Sequence, residues 1–133
     1  MFLDIAVGIL LSLGIGEVYF EHTPYWFIVL GIVFSLLPDI DGVLWLMRPK
    51  LRSIWYTVHR KYTGYPLLYV IPSLVIFILF GKEIGLLFTL CVFIHHLHDT
   101  FFIGWGVMWF WPFSKRKYKF FPDRNGRDRK SVV

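Results

Sequence analysis

Polar residues are so sparse along this chain that they divide it into four apolar segments. The first runs from about Phe2 to Phe20. It carries Asp4 near its start and has no basic n-region or A-x-A-like cleavage site, so a retained span is expected rather than a removed signal peptide. The second opens at Thr23-Pro24, a good N-cap followed by proline at the first helical position, and runs from Tyr25 to Leu37. Pro38-Asp39-Ile40-Asp41-Gly42 then interrupts it, and Val43 to Met47 continues as an interfacial piece. The third segment begins near Tyr65-Pro66 and ends at Phe80-Gly81, with a kink expected at Pro72. The fourth runs from Ile84 through Asp99, with an extension to Trp111 left open.

Composition turns this pattern into a fold class. The chain has 133 residues, 56% of them hydrophobic and 17% charged, with a mean hydropathy of +0.59. Those values lie outside the usual range of a soluble domain and predict an all-α integral membrane protein with about four transmembrane or membrane-embedded helices. Residues 1–113 form the membrane-embedded helical domain and residues 114–133 a basic tail. The second and third runs are shorter than the ~20 residues needed to cross the hydrocarbon core, so some of their ends belong in the headgroup region. The tryptophans lie mostly near segment ends, where indole prefers the interface. The single Cys91 excludes an intrachain disulfide and reads as a buried structural thiol.

Charge adds an orientation. Arg48, Lys50, Arg52, Arg60 and Lys61 lie between segments two and three, and eight basic residues against Asp123 and Asp128 follow segment four. The other two connections hold Glu17, Glu21, Lys82 and Glu83. This one-sided bias predicts that both termini and the middle loop are cytoplasmic. Asp4, the Pro38-Asp41 break, His59 and the His95–Asp99 stretch then converge at one membrane face, the cytoplasmic one, whereas His22 lies on the other side.

Carboxylates and histidines that meet in a membrane protein suggest a metal site. His95 and Asp99 stand four apart on a helix and share a face, as two ligands of one metal must. Asp39 and Asp41 could be presented together by a turn or a broken helix, one to a metal and the other to a second metal or a histidine ring. Such ligands, without thiolate, suit zinc, manganese or iron. Each residue also has a plainer role. Pro38 to Gly42 makes a good turn, His59 suits an interface beside Arg60 and Lys61, His96 and His98 suit contacts between helices, and Asp4 suits the N-terminus of a helix.

The order of the motifs resembles a family. Leu36-Leu37-Pro38-Asp39-Ile40-Asp41, then Val58-His59-Arg60-Lys61-Tyr62-Thr63, then His95 with Asp99, then Trp111-Pro112-Phe113-Ser114 are similar to the membrane-bound metal-dependent hydrolases, also called LexA-binding, inner-membrane-associated hydrolases. The resemblance implies a small multi-helix inner-membrane protein with a His/Asp metal centre, distantly similar to the zinc phospholipase C class. Two departures stand out. Gly64 holds the second histidine position of the family's HRG-x-TH motif, and Asp4 stands where the family usually has a histidine. The departures leave open a single-metal site, a preference for harder ions, a replacement ligand in His96 or His98, or a variant without catalysis.

The expected function is metal-dependent hydrolysis of a phosphoester or phospholipid-like substrate at the cytoplasmic membrane surface. Asp39, Asp41, His59, His95 and Asp99, with Asp4 as an additional candidate, are expected to hold the metal, zinc first and manganese or iron as alternatives. Asp41 and His59 are the candidates for catalysis, and Arg60 for pairing with a phosphate oxygen. No serine sits in a G-x-S-x-G setting, so a side-chain nucleophile is not indicated. The alternative is a non-catalytic membrane protein whose cluster joins helix ends. The basic tail is read as binding anionic lipid headgroups rather than nucleic acid.

Overall fold

The computed structural model describes residues 2–40, 64–102 and 106–120. Helix α1 spans Phe2–Tyr19, α2 Tyr25–Leu36, α3 Val70–Phe80 and α4 Lys82–Phe102. The described residues are thus essentially all-helical. The expected interfacial piece from Val43 to Met47 lies outside them.

Prolines set several of the boundaries. Pro38 has no N–H to continue the α ladder, and α2 tightens there into a 3-10 turn over Leu37–Asp39. Pro72 falls in the first turn of α3, where an N–H has no intrahelical partner to lose, so the proline starts the α-helix instead of kinking it. The preceding residues Pro66–Tyr69 form a separate 3-10 turn. The N-cap of α2 is Pro24, not Thr23, and it makes no side-chain capping bond. The Thr23 side chain packs instead against Gly16, its hydroxyl oxygen buried and without a hydrogen bond. A residue earlier in α1 that looks like a gap thus serves as a socket.

Helices α1 and α2 form an antiparallel hairpin along a seam of small residues. Gly8 and Gly31 are buried against each other, and a Cβ on either would collide with the other's carbonyl group. Ser12 closes the seam, its hydroxyl donating to Gly8 O at 2.8 Å or Phe27 O at 3.1 Å. Small residues let helix backbones approach closely where lipid offers no hydrophobic drive for association. Helix α4 packs against both members of this hairpin, and Ile15, Phe27, Leu87 and Cys91 form the buried core between them. Helix α3 reverses into α4 through Gly81 at φ +93° and packs chiefly on α4, with Gly85 accommodating the ring of Phe77.

Helix α3 has no buried residue, and Ile71, Leu74, Ile78 and Leu79 project outward. Phe2–Tyr19 and Lys82–Phe101 are long and apolar enough to cross a membrane, with mean hydropathies of 1.7 and 1.4. Tyr25–Asp39 and Pro66–Phe80 are shorter apolar helices, in keeping with the shorter runs in the sequence. After α4 the chain folds back across the end of the bundle. Val107 and Tyr118 exchange backbone hydrogen bonds of 3.0 and 2.8 Å, and Phe120 N donates to Thr100 O. Trp109 donates to the Thr100 hydroxyl at 2.9 Å, and Trp111 stacks on Tyr65.

Candidate metal centre

Helix direction brings the acidic and imidazole groups together. Asp4 is in the first turn of α1, Ser35 and Asp39 are at the end of α2, and His95 and Asp99 are in the last two turns of α4. Because α1 runs antiparallel to α2 and α4, these three ends share one end of the bundle. His22 is exposed on the loop at the other end.

His95 lies at the centre, 2% exposed. Its Nδ1 is 3.0 Å from Ser35 O, in the last turn of α2, where carbonyls commonly need partners from outside the helix. A carbonyl only accepts, so Nδ1 carries a proton and donates it. Asp4 Oδ1 lies 3.1 Å from the same Nδ1. On the other nitrogen, Nε2 is buried and makes no hydrogen bond; it faces Asp39 Oδ1 at 3.6 Å and Asp99 Oδ2 at 3.7 Å. Both separations exceed the ~3.2 Å of ordinary N–H···O bonds.

This arrangement fits a divalent ion. Two donors bonded to one zinc-like ion at about 2.1 Å each are separated by at most about 4.2 Å. The separations of 3.6 and 3.7 Å lie within that limit. With a proton on Nδ1, the Nε2 atom that faces two carboxylates is left either to carry a second proton or to bind a cation. Asp4 and Asp99 are only 4% and 5% exposed, so their charge also requires compensation. Asp4, Asp39 and His95 each offer a donor atom, all within 4.8 Å of one another.

The neighbouring histidines differ. His98 is on the same face of α4, and its Nδ1 is 3.4 Å from Asp4 Oδ1, so one carboxylate oxygen adjoins two imidazoles. His96 turns away, its Nδ1 donating to Val92 O at 2.8 Å and its ring lying against Tyr69. Asp41, His59 and Arg60 lie outside the described residues. Sequence reasoning missed Ser35, which contributes through its carbonyl group, an atom every residue possesses. His98 was read as a contact between helices or a replacement ligand, and its i,i+3 spacing from His95 was the available signal for a shared face.

The helices and the buried cluster define a class: a helical protein, two of whose described helices are long and apolar enough to cross a membrane, with an acid/imidazole centre at one end of its bundle. The family described as YdjM inner membrane protein matches residues 3–125, and the chain belongs to that family. No curated protein and no solved structure matches it.

Proposed function

We propose that the protein is a metal-dependent hydrolase of the inner membrane, with its centre on the cytoplasmic side and a phosphoester or phospholipid-like substrate. The observation that supports this reading is His95 Nε2, buried, without a hydrogen bond and facing the carboxylates of Asp39 and Asp99. His95, Asp39 and Asp99 would hold the ion, with Asp4 adjoining, and this set without thiolate suits zinc, manganese or iron. When bound, a divalent ion supplies Lewis-acid polarisation of a phosphoryl or acyl oxygen and activates water.

The chain's own residues would do the rest. His95 binds the ion and is oriented by its hydrogen bond to α2, while Asp39 and Asp99 balance the ion's charge. Asp41 and His59 are assigned to proton transfer and ion binding, and Arg60 to a phosphate oxygen, on the family resemblance. The exposed Lys115, Arg116 and Lys117 suit anionic lipid headgroups.

The test is elemental analysis of the detergent-purified protein beside His95→Ala and His22→Ala, followed by phosphoester and phospholipid hydrolysis assays. Near-stoichiometric metal in the wild type and His22→Ala, absent from His95→Ala, is the expected result. Equal metal content in all three sinks the site assignment. A second reading has its own support: the contacts of His95 Nδ1 with Ser35 and Asp4 tie three helices together without any ion. A metal-free wild type after incubation with zinc and manganese, with lower thermal stability in His95→Ala, would favour that structural role.

A further inference from the structure

Among the described residues, Asp4, Asp39, His95, His98 and Asp99 meet at this centre, and on proximity alone Asp4, Asp39 and His95 could share one ion. The protonation of His95 separates them. Nδ1 donates to a carbonyl and is therefore unavailable to a metal, so an ion bound by this ring must sit on Nε2. The two nitrogens of an imidazole point away from each other. Asp4 Oδ1 is against Nδ1, while Asp39 and Asp99 approach Nε2.

We infer that Asp4 is the orienting carboxylate of the centre, holding His95 from behind, and that the ion is shared by His95, Asp39 and Asp99. This inference rests on the proposed metal-binding reading. Metal-ligating histidines characteristically donate their second N–H to a carboxylate or carbonyl, which fixes the tautomer and raises the basicity of the ligating nitrogen. Here both acceptor types adjoin Nδ1. Asp4 Oδ1 also adjoins His98 Nδ1 at 3.4 Å, so this oxygen lies between two imidazole rings. A small cavity beside Asp4, His95 and His98 is lined also by Ser35 and, for the most part, by the less polar Leu3, Val7, Cys91 and Ile94. In such surroundings the field of a carboxylate on a neighbouring ring is only weakly screened. Asp4 therefore acts through His95 and is a positioning residue.

The test uses the full chain in detergent, titrated with Co2+ and Zn2+, comparing wild type with Asp4→Asn, Asp39→Asn and Asp99→Asn. Asp39→Asn and Asp99→Asn should lose stoichiometric binding. Asp4→Asn should still bind one ion, with affinity lowered on the order of 10–100-fold and the visible Co2+ bands at wild-type positions, because the donor set is unchanged. Loss of the ion from Asp4→Asn as complete as from Asp39→Asn, or shifted Co2+ bands, would overturn the assignment. Should Asp4→Asn fail to fold, 15N NMR of His95 in the Zn2+-loaded wild type decides: metal on Nε2 with a proton on Nδ1 supports the inference, and metal on Nδ1 overturns it. A wild type that takes up neither ion sinks both the inference and the metal-binding reading. Ion binding as expected without hydrolysis leaves Asp4 in its role and removes only the hydrolase.

Discussion

His95 shows why a buried polar residue has to be read atom by atom. Its Nδ1 completes the end of α2 through Ser35 O, and its Nε2 is left facing acids from two helices. An ion that binds this folded arrangement and not the unfolded chain stabilises the protein by mass action, by about 2.7 kcal/mol at a free concentration 100 times Kd. Zinc should therefore raise the melting temperature of the wild type in detergent, and chelation should reverse the gain. His95→Ala should show no zinc-dependent shift, and an equal shift in that variant would mean that the ion binds elsewhere. The pairing of His95 with Asp99 was legible because both lie on one helix, where the i,i+4 spacing fixes their proximity. The neighbours supplied by α1 and α2 were legible only as a shared end of the bundle. Which nitrogen Asp4 meets depends on how far the helices slide and rotate, and no local spacing encodes that.

Among the elements, the seam between α1 and α2 sets the height of Asp4 relative to Asp39. Gly31→Val adds atoms where the Ser12 hydroxyl and the Gly8 carbonyl already lie, and the carbonyl cannot rotate away. A loss of about 1–3 kcal/mol is expected from such overpacking, read as a lower unfolding temperature together with weaker metal retention. A methyl group added at Gly14 would meet nothing within 4 Å, so Gly14→Ala should leave both properties unchanged. Equal destabilisation by the two substitutions would contradict the seam. The sequence revealed the helices more clearly than their contacts, because hydropathy distinguishes lipid-compatible segments without saying which small residues face each other. Proline was also ambiguous from sequence. Pro72 looked like an interruption, and only the helix start at Val70 shows that its missing N–H costs no bond.

At the scale of the whole molecule, family membership makes this an inner-membrane protein, and the exposed apolar face of α3 suits contact with lipid. The proposed orientation can be tested with one cysteine. Cys91 is fully buried in the core, so His22→Cys supplies an exposed thiol at the end opposite the acid/imidazole cluster. In intact cells a membrane-impermeant maleimide should label His22→Cys and leave the wild type unlabelled. Labelling only after the membrane is opened would reverse the assigned orientation.

The cluster is also divided between two separately folded-back parts of the chain. Asp4 and Asp39 belong to the α1–α2 hairpin, whereas His95 and Asp99 belong to the α3–α4 hairpin. Neither half alone carries both the acids of the first and the imidazole of the second, so on the proposed metal-binding reading ion binding would report assembly. Two fragments, each bearing one hairpin, would regain a tightly held ion only when they find each other in the bilayer.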